Sequence, residues 1–279
     1  MERAAAAAAA ADAAVVVVGT GPDWETEGRD RPHMGLPGDQ DALVDAVVAA
    51  RPDAVVVVNA SAPLALPWRG RARAVLWQWF PGQEGGDALA DVLLGVVSPS
   101  GRLPTTLPRH IEDTSAFAHY PGAGGVVSYG EGIFVGYRGH DAAGVDPAFC
   151  FGHGLSYTTF EYSDLAVDAP PPGREEPLRA TVDVTNTGER AGAEVVQCYV
   201  HPREASVPRP PQELKAFARV DLAPGESTRV VLDLDERAFA HWDDTVHAWR
   251  VEPGEYEIRA GASSRDIRAT AFVELAGRL

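Results

Sequence analysis

The sequence predicts an α/β domain, with a mostly parallel sheet layered with helices, followed by an all-β sandwich. The first half repeats one pattern: a short apolar run, a polar loop and an amphipathic helix. The second half shows short runs of alternating polarity, separated by turn signals. Because one pattern replaces the other after the middle of the chain, we predict domains at residues 1–157 and 158–279.

The run Val15 to Val18 is followed by glycine and proline, which is typical of a buried strand. The alanine run before it, residues 4–11, is predicted as a helix because alanine has the highest helix propensity. Asp39 is placed to cap the helix after the first strand. The remaining elements of this domain are predicted as strands at Ala54–Val58 and Ala74–Trp79 and helices at Asp41–Val48 and Asp87–Leu94.

The second domain is predicted as a sandwich of immunoglobulin or fibronectin III type, because its strands are short and its turns regular. It begins at Phe160, and residues between the two domains are rich in loops. Pro170-Pro171-Pro172-Gly173 is predicted to be a loop after the first sandwich strand. Further strands are predicted at Thr181–Thr185, Glu194–Val200, Arg229–Leu234 and Tyr256–Arg259.

The composition of the 279 residues excludes several classes of partner. A formal net charge of -16 argues against nucleic acid and anionic membranes, which select basic surfaces. No apolar run is long enough to span a bilayer. The alanine-rich start makes a poor signal peptide, which favours a cytoplasmic location. Cys150 and Cys198 lie in separate regions without metal-ligand spacing and are predicted to be free, buried thiols.

A charged loop after the first predicted strand is the strongest candidate for a functional site. It reads Trp24-Glu25-Thr26-Glu27-Gly28-Arg29-Asp30-Arg31. Open α/β sheets bind ligands at the carboxyl ends of their strands. Carboxylates there can transfer protons, and an aromatic ring can stack on a sugar. The alternative is a solvated surface loop, because most runs of charge lie on the surface.

Further motifs follow this loop in a definite order. They are Leu36-Pro37, Pro81-Gly82-Gln83-Glu84-Gly85-Gly86, Pro99-Ser100-Gly101-Arg102-Leu103-Pro104, Tyr129-Gly130-Glu131-Gly132, Gly136-Tyr137-Arg138, Phe151-Gly152-His153-Gly154-Leu155-Ser156-Tyr157, Asn186-Thr187-Gly188, Arg190-Ala191-Gly192 and Glu213-Leu214-Lys215. In this order the chain resembles, over essentially its whole length, the C-terminal half of family-3 glycoside hydrolases, the β-glucosidase and β-xylosidase group.

The resemblance implies a longer enzyme, in which a catalytic (β/α)-barrel with a nucleophilic Asp precedes these two domains. No segment of this sequence matches such a barrel, and by the resemblance we expect the first strand of the α/β domain to be absent as well. We therefore expect an N-terminally truncated member of the family. A barrel domain on a separate chain is the candidate protein partner, and a β-linked oligosaccharide or glycoside is the candidate ligand.

The resemblance also implies which residues take part in the reaction. Glu27 matches the general acid/base of the family pattern, and Glu25 is its rival because these loops vary in length. Trp24 and Glu84 are candidates for substrate binding, although covering the loop and capping a helix are alternatives for them. His153 resembles a structural signature at the domain junction, so we expect neither a metal nor a cofactor.

Two functions are compatible with these observations. The chain is predicted to be a module of a retaining β-glucosidase that hydrolyses O-glycosyl bonds and provides the acid/base. Because the second carboxylate of the reaction is absent, the isolated chain should be inactive. The alternative is a non-catalytic carbohydrate-binding or structural remnant of such an enzyme. The sugar, the linkage and the oligomeric state do not follow from the sequence.

Overall fold

The structure, a computed structural model, describes residues 1–168 and 177–277. Its first part is a three-stranded parallel sheet of strand order β1-β2-β3 with helices between the strands. The elements are α1 (Glu2–Ala10), β1 (Val15–Gly19), α2 (Gln40–Ala50), β2 (Val55–Asn59), β3 (Ala74–Trp77) and α3 (Gly85–Leu93). The predicted parallel sheet is confirmed, and the third strand ends two residues earlier than predicted.

Strand β1 is not buried on both faces, as its valine run had predicted. Val16 and Val18 are buried, whereas Val15 and Val17 are 47% and 57% exposed. In the described sheet, β1 pairs only with β2 and is an edge strand, and the face that carries Val15 and Val17 is exposed. Strand β2 lies between the other two and is the buried one. A continuous apolar run therefore did not distinguish the central strand from the edge strand.

The chain forms two compact units. The first contains residues 1–94 and 107–113, and the second contains the other described residues. Residues 114–157, predicted to belong with the α/β domain, are thus in the same compact unit as the sandwich. They are rich in loops and contain the short helix α4 (Tyr137–Ala143). The domain boundary at residues 157/158 stays a prediction.

The second unit is built on two antiparallel sheets of orders β12-β11-β6-β7 and β4-β5-β8. A two-stranded hairpin of β9 and β10 accompanies them. The strands are β4 (Phe160–Asp168), β5 (Leu178–Asn186), β6 (Gly192–Pro202), β7 (Glu213–Leu222), β8 (Ser227–Leu234), β9 (His241–Asp243), β10 (Ala248–Arg250), β11 (Gly254–Ser263) and β12 (Asp266–Leu275). The predicted sandwich is confirmed, and the predicted Pro170-Pro171-Pro172-Gly173 loop lies outside the described residues.

The core of the sandwich lies between its two sheets. Val182 and Val184 of one sheet and Val196, Val200 and Ile258 of the other are at most 1% exposed. Their inward positions alternate along each strand, as the period of a strand requires. Cys198 lies in the same core, and burial raises the pKa of its thiol to about 12. Among the described residues, no helix is both long and apolar enough to cross a membrane.

Candidate functional site

The candidate site is built at the carboxyl edge of the parallel sheet, where the loops after β1, β2 and β3 begin. Gln40, the first residue of α2, fixes the end of β1 through two hydrogen bonds with Gly19. The Gly19 amide donates to Gln40 Oε1, and Gln40 Nε2 donates to the Gly19 carbonyl, both at 2.8 Å. A side chain at Gly19 would place its Cβ only 2.1 Å from the carbonyl oxygen of Asn59. Glycine therefore lets β1 and β2 approach where the charged loop starts.

Glu25 stabilises the charged loop through two hydrogen bonds. Its Oε1 accepts a hydrogen bond from Thr20 Oγ1 at 2.7 Å, and its Oε2 accepts one from Ser61 Oγ at 2.6 Å. Burial raises the pKa of Glu25, but the hydrogen bonds from Ser61 and Thr20 and the charge of Arg31 outweigh it, so the pKa lies below its ordinary value. Glu25 is thus held as a carboxylate that joins the loop after β1 to the loop after β2.

Glu27 lies two residues further along the same loop in a different environment. Its side chain is exposed, and in the described part of the chain it forms no hydrogen bond or ion pair. Both of its carboxylate oxygens are therefore accessible to a ligand or to another protein surface. The two glutamates differ in what surrounds them, although the sequence places both in one loop.

Trp24 is half-buried and packs against His33, with ring centroids 5.0 Å apart. Its backbone amide and that of Glu25 both donate to the Gly21 carbonyl at 2.8 Å, which turns the chain back over the loop. Arg31 Nη2 donates to the Pro63 carbonyl at 3.2 Å and so fixes the far end of the loop. Trp24 is thus held by its contact with His33, and both substrate binding and covering of the loop stay predictions for it.

Glu84 lies on the third loop, after β3, and its side chain is exposed. It occupies the N-cap position of α3, but its side chain makes no capping hydrogen bond. Asp39 likewise stands at the N-cap of α2 without a capping bond from its side chain. The predicted capping by Asp39 is wrong, and the capping alternative for Glu84 is wrong as well. Substrate binding by Glu84 stays a prediction.

Several buried polar atoms at this edge have no hydrogen-bond partner among the described residues. They are Trp24 Nε1, Arg31 Nη1, Asn59 Oδ1 and Trp77 Nε1. Buried polar groups are nearly always paired, so unpaired ones require an explanation. Four such atoms, three of them donors, near the ends of β1, β2 and β3 are compatible with a polar ligand such as a sugar.

The carboxyl edge of the parallel sheet also contains three residues that the sequence did not single out: Asn59, Trp77 and Trp79. Trp77 and Trp79 pack edge to face with centroids 5.6 Å apart. Trp79 has a φ of 59°, a conformation that is strained for a bulky residue. Such strain concentrates at functional sites. Two tryptophans separated by one residue at the end of a predicted strand were the signal that could have drawn attention to them.

The loops at this edge carry an accessible carboxylate, aromatic rings and unpaired donors. In the part of the chain that the structure describes, no group of three or more His, Cys, Asp or Glu side chains is placed to hold a metal ion.

Comparison with known proteins decides the family. The profile of the glycosyl hydrolase family 3 C-terminal domain matches residues 1–157, more than half of the chain. The chain belongs to glycosyl hydrolase family 3. A fibronectin type III-like domain matches residues 194–264 of this family member. The resemblance stated from the motifs is thereby confirmed.

Curated β-glucosidases are among the relatives that this chain matches along most of its length. A β-glucosidase of Rhizobium radiobacter is 47% identical over 262 residues, which are 92% of this chain and 32% of the relative. Thermostable β-glucosidase B of Acetivibrio thermocellus is 45% identical over 245 residues, 88% of this chain and 32% of the relative. This family 3 chain thus spans about a third of the length of these curated relatives.

Solved structures of family 3 enzymes share the fold. The GH3 β-glucosidase of Bifidobacterium adolescentis matches with a TM-score of 0.94 at 43% identity, over 99% of this chain and 41% of that chain. The β-glucosidase of Kluyveromyces marxianus, solved in complex with glucose, matches with a TM-score of 0.92 at 41% identity, over 99% of this chain and 33% of that chain. The chain is therefore similar to the C-terminal part of family 3 β-glucosidases.

Proposed function

We propose that this chain is the part of a retaining β-glucosidase that provides the general acid/base, and that Glu27 is that residue. The nucleophilic carboxylate would come from a (β/α)-barrel outside these 279 residues, and the substrate would be a β-glucoside. The observation that carries the proposal is the contrast between Glu27, whose carboxylate is exposed and unengaged, and Glu25, whose two oxygens are both engaged.

A general acid must be able to reach the glycosidic oxygen and must carry a proton to give to it. Glu25 is poorly suited to both tasks. Hydrogen bonds from Thr20 and Ser61 occupy its oxygens, and its lowered pKa favours the ionised form. Glu27 has no such engagement in the described chain and projects from the same loop. We therefore assign catalysis to Glu27 and positioning of the loop to Glu25.

The roles proposed for Glu27 and for the barrel carboxylate follow from the chemistry of retaining glycosidases. In these enzymes two carboxyl groups lie about 5–5.5 Å apart on either side of the bond that is broken. The nucleophile attacks the anomeric carbon while the acid protonates the leaving oxygen, and the same residue then acts as a base for the water that releases the sugar. Trp24, Asn59 and Trp77 would contribute the unpaired polar atoms that contact the sugar or the leaving group.

A chimeric enzyme tests this proposal. The region of the Rhizobium radiobacter β-glucosidase that matches this chain over 262 residues would be replaced by this chain. In that enzyme, Glu27→Gln should slow hydrolysis of an alkyl glucoside by about 10²–10⁴-fold, the usual contribution of general acid–base catalysis. A dinitrophenyl glucoside needs no proton to leave, so formation of its glycosyl-enzyme should be nearly unaffected.

Azide provides a second, independent readout. Without the base, water attacks the glycosyl-enzyme slowly, whereas azide needs no deprotonation. Added azide should therefore restore turnover in Glu27→Gln and yield the glucosyl azide. Glu25→Gln is the matched control, because it removes a carboxylate from the same loop; we expect it to affect stability or affinity without leaving-group dependence or azide rescue. If Glu25→Gln shows both signatures, the acid/base is Glu25.

The non-catalytic alternative makes the opposite prediction. If the chain is a carbohydrate-binding or structural remnant, neither substitution should produce leaving-group dependence in the chimera. Binding of glucosides by the 279-residue chain alone, with an inactive chimera, would favour that alternative. Hydrolysis of aryl β-glucosides by the chain alone would contradict the need for a separate nucleophile.

A further inference from the structure

A cluster of three cations surrounds a single carboxylate in the second compact unit. Glu213 Oε2 accepts a hydrogen bond from Arg209 Nη2 at 3.0 Å, and its Oε1 lies 3.4 Å from Lys215 Nζ and 3.5 Å from Arg138 Nη1. This local excess of positive charge stands out in a chain whose formal net charge is -16. In the sequence, Arg138 and the Glu213-Leu214-Lys215 motif were singled out only for the family resemblance that they carry.

A hydrogen bond between α4 and β7 places these residues beside one another. The Tyr137 hydroxyl, at the start of α4, accepts a hydrogen bond from the Leu214 amide at 2.8 Å, at the start of β7. Arg138 follows Tyr137, and Lys215 follows Leu214, so this one contact brings the two cations to the same carboxylate. Arg209 is anchored separately, because its Nη1 donates to the Phe239 carbonyl at 2.8 Å. The cluster is therefore held in place by backbone groups and does not depend on charge attraction alone.

The positive charge of this cluster is only partly compensated. Glu252 acts on Arg209 as a further carboxylate, whereas the charges that act on Lys215 are Glu213, Arg209 and Arg138. Burial lowers the pKa of Lys215, Glu213 raises it, and the two arginines lower it again, with a net result below the ordinary value. Desolvated cations without enough counter-charge are costly, so an additional anion beside this cluster would lower its free energy.

Arg138 shows where such an anion would bind. Its Nε is buried and has no hydrogen-bond partner among the described residues. Yet the Arg138 side chain as a whole is 32% exposed and that of Lys215 is 18% exposed, whereas that of Arg209 is only 3% exposed. The open side of the cluster is thus formed by Arg138 and Lys215. Guanidinium groups bind the oxygens of carboxylates and phosphates in a fixed geometry.

We propose that Arg138 and Lys215 form a binding site for an oxyanion, either a carboxylate or a phosphate group, with Glu213 and Arg209 holding the two cations in place. Arg138 donates through its guanidinium, and the Lys215 ammonium provides the second charge. The site lies in the compact unit that does not contain Glu27. No part of its chemistry involves the acid/base.

The sequence offers a direct way to observe the site. Among the 24 lysine and arginine residues, Lys215 is the only lysine. An amine-acetylating reagent can therefore modify only Lys215 and the α-amine of Met1, and peptide mass spectrometry separates the two. Acetylation requires the neutral amine, and a bound anion raises the pKa of Lys215. Because each pKa unit changes the neutral fraction about tenfold, we expect phosphate to slow acetylation of Lys215 by about threefold or more.

The experiment compares sodium phosphate, sodium acetate and sodium chloride at equal ionic strength and pH, on the full 279-residue chain. The α-amine of Met1 is the internal reference and should react at the same rate in all three. Saturable protection of Lys215 by phosphate alone assigns the site to phosphate groups, and protection by acetate as well assigns it to carboxylates, including acidic side chains. Equal rates for Lys215 in all three salts would overturn the proposal.

Two variants test whether Arg138 is required for the protection of Lys215 from acetylation. Arg138→Gln should abolish the protection, whereas Arg179→Gln, which removes a surface arginine paired with Asp233, should retain it. If circular dichroism shows that Arg138→Gln does not fold, Arg138→Lys replaces it, since lysine keeps the charge but lacks the planar guanidinium. Protection that persists unchanged in folded Arg138 variants would place the anion elsewhere and contradict the proposal.

Discussion

The buried ion pair of Arg102 and Glu194 provides the sharpest test of how the second unit is stabilised. Arg102 Nη2 lies 2.6 Å from Glu194 Oε1, and the two side chains are 8% and 3% exposed. The same Oε1 also accepts a hydrogen bond from the Val195 amide at 2.7 Å. Arg102→Gln removes the cation and leaves a buried carboxylate with a single donor in the described structure. Removing one partner of a buried pair costs about 3–5 kcal/mol.

Such a loss is a large fraction of the stability of a domain, which is typically about 5–15 kcal/mol. For a unit of this size, each kcal/mol corresponds to about 2–4 °C in Tm, so the transition should fall by roughly 6–20 °C. Urea unfolding followed by far-UV circular dichroism at neutral pH measures the free energy of unfolding directly. The midpoint should move to lower urea without a change in the slope of the transition.

The control is an ion pair of the same chemistry on the surface. Arg179 and Asp233 are 3.2 Å apart, and both side chains are 58% exposed. Arg179→Gln should therefore cost only about 0–1 kcal/mol. The double variant Arg102→Met, Glu194→Met should recover most of the loss, because apolar residues can replace a buried pair at little cost. A cost of Arg102→Gln no larger than that of Arg179→Gln would refute the reasoning.

Three further predictions concern other parts of the molecule. The pKa of Glu25 is lowered, so its carboxylate stabilises the fold above its ordinary pKa of 4.5, and this contribution is lost as the pH falls through the folded value. The difference in Tm between wild type and Glu25→Gln should therefore shrink on acidification. A difference that is constant with pH would contradict the assignment. Gly152 has a φ of 80°, and a Cβ there would lie 2.0 Å from Gln197 Oε1, whereas Gly124 has a φ of 61° and no atom within 4 Å of a Cβ. Gly152→Ala should therefore destabilise the chain more than Gly124→Ala in thermal unfolding. Equal losses of stability would show that the backbone angle φ alone matters. The boundary predicted from the sequence requires limited proteolysis to release a β-rich fragment of residues 158–279, whereas a stable fragment that retains residues 114–157 would agree with the compact unit and move the boundary upstream.

Some features of the fold could be read from the sequence because they depend on local patterns. Apolar runs followed by polar loops and helices determined the parallel sheet. The strand predicted as buried at Ala54–Val58 is buried at every position except Val55, which is half-buried. The order of the motifs identified the family. Strands β7 and β12 were not predicted, because alanines such as Ala216 and Ala269 fill several of their inward positions and alanine is a weak strand signal.

The sequence by itself determined that two glutamates two residues apart lie in a loop at the carboxyl edge of a parallel sheet. Only the tertiary structure distinguished them, because Ser61, which holds Glu25, is 36 residues away along the chain. The same holds for Arg138 and Glu213, which local patterns leave unconnected and which the contact between α4 and β7 brings together. Propensity and periodicity act over a few residues, whereas hydrogen-bond partners, burial and charge are set by where distant segments meet.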